Sequence, residues 1–63
     1  MIMLTRLNGV TFALNSDLIE TISENPDTTI HMTTKNLYIV KERTQEVIDK
    51  IIEFRRRVNS KPL

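Results

Sequence analysis

The only glycine of the chain sits in the dipeptide Asn8-Gly9, between residues that suit β-strands. Asn-Gly is the strongest short cue for a hairpin, because a tight type I′ turn needs positive φ at both central positions. A two-residue loop there pairs Leu7 with Val10, Thr5 with Phe12 and Met3 with Leu14, and puts those six on one face. The other face then carries Ile2, Leu4 and Ala13 with Arg6, Thr11 and Asn15. Neither face is purely polar.

Further strands follow. Asn15-Ser16-Asp17 reads as a turn, since each side chain can bond nearby backbone. A third strand runs from Leu18 to about Glu24, and Asn25-Pro26-Asp27 forms the next turn, with Pro26 fixing φ. The fourth strand is Thr29 to Thr34. Only an odd loop of three or five residues keeps Leu18, Ile22, Ile30 and Met32 on one face. Lys35-Asn36 is a weaker hairpin cue, with Asn36 able to take the left-handed conformation. A two-residue loop there sets Leu37 and Ile39 beside Met32 and Ile30, and puts His31, Tyr38 and Val40 on the opposite face.

From Thr44 the period becomes helical. Val47, Ile48, Ile51, Ile52, Phe54 and Val58 fall at spacings of three and four and form a stripe roughly 160° wide. Thr44 is the candidate N-cap, although Arg43 disturbs the pattern that would place Glu46 at the third helical position. Glu46–Lys50 and Glu53–Arg57 are favourably oriented i,i+4 pairs. The expected fold is therefore α+β: a small antiparallel sheet of about five strands built from β-hairpins, followed by one C-terminal amphipathic helix over residues 44 to 58. One domain spans 1–58, and 59–63 reads as a short flexible tail.

Sixty-three residues bury only about 60% of the unfolded surface, so such a fold usually needs extra support. With no cysteine and a single histidine, His31, disulfides and thiolate or His-rich metal sites are excluded as that support. Nine basic against eight acidic residues leave a net charge of +1, well short of the basic excess typical of nucleic-acid modules. The longest apolar run is Met1 to Leu4, too short for a membrane span or a signal-peptide core.

Leu4-Thr5-Arg6-Leu7-Asn8-Gly9, then Phe12, Leu14-Asn15, Asp17-Leu18-Ile19-Glu20, Ile22, Pro26-Asp27-Thr28 and Ile30 follow one another in an order that resembles the FlbD family of small flagellar proteins, also described as swarming motility protein SwrD. Tyr38, Val40, Glu42, Glu46-Val47 and Ile51 continue the likeness to about residue 58. Two departures stand out. Family members often carry glycine in the turn before the tyrosine, where this chain has Lys35-Asn36-Leu37, and many carry serine where Arg43 stands. The resemblance implies a cytoplasmic accessory protein of flagellar motility, linked to motor power and stator proteins, at the inner face of the membrane. It implies no enzymatic activity, no cofactor and no small-molecule substrate. A second likeness is confined to the start: Met1-Ile2-Met3-Leu4-Thr5-Arg6 and Gly9 also resemble the opening of the CsrA family of RNA-binding translational regulators, whose later motifs are missing.

The candidate interaction residues are Arg6, Tyr38, Arg55, Arg56 and Arg57; Asn8, Gly9, Pro26 and Asp27 define turns. Arg55–Arg57 also suit a helix C-terminus, where the dipole favours cations, and Arg55 falls within the apolar stripe. The acids Asp17, Glu20, Glu24 and Asp27 flank turns and serve solubility and turn bonding. Because one helix covers only one side of a sheet, Ile2, Leu4, Ala13, Ile19, Tyr38 and Val40 are expected to form an exposed patch that drives assembly into a homo-oligomer.

Overall fold

A computed structural model describes residues 1–59. Its order is β1 (Ile2–Thr5), β2 (Thr11–Leu14), a one-turn 3-10 helix (Ser16–Leu18), β3 (Ile19–Glu24), β4 (Thr28–Met32), β5 (Leu37–Val40) and α1 (Thr44–Asn59). The strands form an antiparallel pair β1-β2 and an antiparallel sheet β3-β4-β5. The two meet at an Arg6–Val40 bridge, where the Lys41 N–H donates to the Thr5 carbonyl at 2.8 Å. The α+β class and the element order are as the sequence indicates. The helix runs one residue further than expected, to Asn59, and the rest of the expected tail, 60–63, lies outside the described residues.

The hairpin loops are where the expectation fails. In β1-β2, Leu4 faces Phe12 and Thr5 faces Thr11. Gly9 N–H donates to the Arg6 carbonyl at 2.9 Å and Arg6 N–H to the Val10 carbonyl at 2.8 Å. That is a three-residue loop closed by a bulge, with Gly9 as the bulged residue at φ +92°. Asn8 contributes differently from expectation: its Oδ1 accepts the Val10 N–H at 3.0 Å. The turn between β4 and β5 repeats the design. Lys35 N–H donates to the Met32 carbonyl and Met32 N–H to the Asn36 carbonyl, both at 2.9 Å. Lys35, not Asn36, takes the left-handed conformation, at φ 71°.

One residue added to a loop moves a strand's side chains to the opposite face. Ile2, Leu4 and Val40, expected on the open face, are instead buried beside Leu14, Ile30, Met32 and Val47, and Tyr38 and Ile19 pack against them. Met3, Leu7, Val10, Leu37 and Ile39, expected inside, are exposed. The expected assembly patch is thus largely the core. The Asn25-Pro26-Asp27 loop has the odd length the pattern requires: Ile22 faces Ile30, Glu24 faces Thr28, and the Asn25–Pro26 peptide is cis. Asn15 caps the short 3-10 turn, its side chain accepting the Asp17 N–H.

The buried face of α1 is narrower than its stripe. Val47 is fully buried, and Ile51 and Phe54 are half-buried against the core. Ile48, Ile52 and Val58 remain exposed.

Candidate functional site

The corrected register creates a side-chain cluster. Ile2, Leu4 and Arg6 alternate onto the face that carries Phe12 and Leu14. Beyond the last core pair, Arg6 lies over aromatic rings. Its guanidinium carbon is 4.4 Å from the Phe12 ring centroid and 5.4 Å from that of Tyr38. The rings themselves are 5.4 Å apart and tilted by 31°. A cation at this range is attracted by the ring quadrupole, so the exposed guanidinium is held in place. The expectation had set Arg6 on the face opposite Phe12; the three-residue loop brings them together. No acidic group pairs with Arg6 among the described residues.

Phe12 and Tyr38 also line a groove of about 220 Å³ with Leu14, Leu18 and Met32 on its apolar side. No lining residue carries a charge. One rim is β2, which pairs with β1 alone. The Arg6–Val10 bond sets the alternation of that ladder: Val10, Phe12 and Leu14 bond toward β1, so the backbone groups of Thr11 and Ala13 point away from it.

Behind the cluster, Glu42 braces β1 to the chain after β5. Its two carboxylate oxygens accept the Thr5 N–H and the Thr5 hydroxyl, each at 2.9 Å. Partial burial opposes ionisation, but the Thr5 donors outweigh it, so the carboxyl sits below its ordinary range. This brace fixes the corner from which Arg6 projects.

At the helix start, Val47 N–H donates to the Arg43 carbonyl at 3.0 Å, which makes Arg43 rather than Thr44 the N-cap residue. Glu46 reaches back to the Arg43 N–H at 3.3 Å, one half of a capping box; arginine cannot supply the other half. Glu24 substitutes from the end of β3. It accepts the Thr44 N–H at 2.9 Å and lies 3.6 Å from the Arg43 guanidinium. The Thr44 backbone bond, aided by Arg43, holds the Glu24 carboxyl below its usual range. An acid that the sequence places beside a turn therefore caps a helix.

The three helix arginines do not join Arg6. Arg55 lies 3.9 Å from Asp17, an exposed contact of little energetic value. Arg57 pairs with Glu53 at 3.3 Å, as its spacing predicts, and Arg56 is in no ion pair among the described residues. Tyr38 and Arg6 are the candidate residues that the fold unites. Phe12 completes their cluster, although the sequence offers it only as one member of a hairpin face; the signal for it is the alternation Leu4, Arg6 against Phe12, legible once the loop has three residues. His31 is an exposed strand residue. Among the described residues no three His, Cys, Asp or Glu side chains gather as a metal site, and no helix is long and apolar enough to cross a membrane.

The molecule is thus a small α+β domain with a fixed surface cation above an aromatic groove. The family model described as "Flagellar and Swarming motility proteins", FlbD, matches residues 1–59, and the chain belongs to the FlbD family. Its role accordingly lies in flagellar or swarming motility. The match is with this family rather than with the RNA-binding regulators, whose likeness at the N-terminus gains no support. No curated protein and no solved structure is matched.

Proposed function

We propose that this chain is a non-catalytic, cytoplasmic accessory protein of flagellar motility that acts at the inner face of the membrane by binding a motor or stator protein. The observation that carries this reading is the family match over residues 1–59. The site chemistry supports binding over catalysis. Acid–base or nucleophilic chemistry needs titratable groups converging on a pocket, whereas the two perturbed carboxylates, Glu24 and Glu42, are engaged in a helix cap and a strand brace. Deleting the gene and recording swimming speed in viscous medium tests the reading. Loss of speed under load, restored by the intact chain, is the expected result; normal speed overturns it.

Self-association belongs to the same proposal, through a different surface from the one the sequence suggested. The outer face of β3-β4-β5 carries exposed Leu37 and Ile39 beside Thr21, Ser23, Thr29 and His31. None of these is formally charged at neutral pH, so a two-fold contact of this face with itself opposes no like charges. Light scattering on a sizing column is expected to give twice the 7.4 kDa of the chain. A folded species at 7.4 kDa overturns this part.

A further inference from the structure

We infer that the groove beside β2 is a docking site for an extended acidic segment of a partner protein, which adds as a strand to the β2 edge and offers a carboxylate to Arg6. The inference rests on the protein-binding reading above and gives it a surface and a partner chemistry. Three features converge. The outward backbone groups of Thr11 and Ala13 form an open strand edge, the template on which an extended peptide adds by main-chain hydrogen bonds. Next to that edge, Phe12, Leu14, Leu18, Met32 and Tyr38 offer apolar contact to alternate side chains of such a strand.

The third feature is charge. Arg6 stands over Phe12 and Tyr38 and pairs with no acid among the described residues. Arg6 is thus a cation over two residues of a groove whose walls hold no acid; the acid next in sequence to its walls, Asp17, faces Arg55. Two further grooves among the described residues differ. One is lined by Lys50, Arg57 and Glu53, which pairs with Arg57, the other by Glu24 and Asp27 with Lys41 and Arg43, so each holds acids of its own beside its cations. A second copy is a poor occupant of the β2 groove, because a two-fold contact would set Arg6 against its own copy. An acidic strand satisfies all three features at once.

The test uses the full chain, labelled with ¹⁵N, and two capped hexapeptides, one alternating valine with glutamate and one alternating valine with lysine. The glutamate peptide is expected to shift the amides of Thr11, Ala13, Leu18 and Tyr38. The lysine peptide should bind at least roughly fivefold more weakly, the scale of one exposed charge pair. Arg6→Glu should reverse that order. Ala13→Pro removes an outward N–H without touching the bonds to β1 and should abolish the shifts. If Ala13→Pro unfolds by circular dichroism, the charge reversal at Arg6 decides alone. Equal binding of both peptides, or no shifts along β2, overturns the proposal. So does a dimer that Arg6→Glu dissolves, since the occupant would then be a second copy. In a deletion strain the two levels separate. If deletion leaves motility normal, the motility reading fails whatever the peptides do. If deletion impairs motility and the Arg6→Glu chain restores it fully, the docking site fails and the motility reading stands.

Discussion

Replacing Lys35 by glycine should stabilise the protein. Lys35 is the bulged residue of the β4-β5 loop at φ 71°, and its side chain makes no ion pair among the described residues. The left-handed conformation brings Cβ close to the backbone and costs an L-residue about 1–2 kcal/mol. Glycine escapes that cost but adds about 0.4–1 kcal/mol of unfolded-state freedom to be lost on folding. The difference is a net gain of about 0.5–1 kcal/mol, or roughly 4–8 °C in Tm for so small a domain. Urea unfolding followed by circular dichroism should show a higher midpoint at unchanged slope. Gly9→Ala is the mirror experiment. A Cβ at Gly9 meets nothing within 4 Å, so the cost comes from the backbone alone, and φ +92° lies further outside the left-handed well than Lys35 does. A loss of about 1 kcal/mol is expected. If Lys35→Gly lowers the midpoint while Gly9→Ala leaves it unchanged, the bulged three-residue loops are refuted.

Arg43→Ser should complete the capping box with Glu46, stabilising α1 by about 0.5–1 kcal/mol; a lower thermal midpoint would show that the contact to Glu24 matters more than the missing acceptor. Glu42 has its folded-state carboxyl pKa depressed below the ordinary 4.5, so its contribution is fully present above about pH 4.5 and is lost as pH falls through the lower folded value. Glu42→Gln should therefore make stability less steep in acid below that point, and an unchanged urea midpoint profile between pH 6 and pH 3 (on the order of the carboxylate range) would contradict the Thr5 brace. Val47→Ala, at a fully buried position, should cost about 1.5–3 kcal/mol, while Ile52→Ala, at an exposed one, should stay within about 0.5 kcal/mol. Equal losses would place the helix on the wrong face.

Much of this was legible in the residues, because local chemistry decides it. The change of period at Thr44 marks the helix, and the odd length of the loop around Asn25-Pro26-Asp27, three or five residues, follows from the need to put Ile22 and Ile30 on one face; the structure has three. The faces of the other two hairpins were not legible. A glycine at position 9 suits either the second residue of a two-residue turn or the bulged residue of a three-residue loop, and both strand faces contain apolar residues that would accept burial. Lys35 is harder still, since nothing in a lysine announces positive φ; the glycine common at that turn in the family is the one hint. The cation–aromatic cluster inherits the same ambiguity, as Arg6 joins Phe12 in one register and leaves it in the other. Glu24 at the helix start and Thr5 against Glu42 are contacts across twenty and thirty-seven residues, set by tertiary placement rather than by any local pattern.

The groove and the Arg6 cluster depend on the β1-β2 register, and two-dimensional NOE spectroscopy of the free chain measures it directly. In the bulged hairpin, Thr5–Thr11 and Met3–Ala13 are facing pairs that exchange no hydrogen bonds, the arrangement that brings opposed backbones closest, about 4.5 Å between Cα atoms. Strong Hα–Hα cross-peaks are predicted for both pairs, together with upfield-shifted Arg6 side-chain protons from the Phe12 and Tyr38 rings. Strong Hα–Hα cross-peaks joining Arg6 with Thr11 and Leu4 with Ala13 instead, the close pairs of a two-residue turn, with Arg6 protons at ordinary positions, would contradict this register.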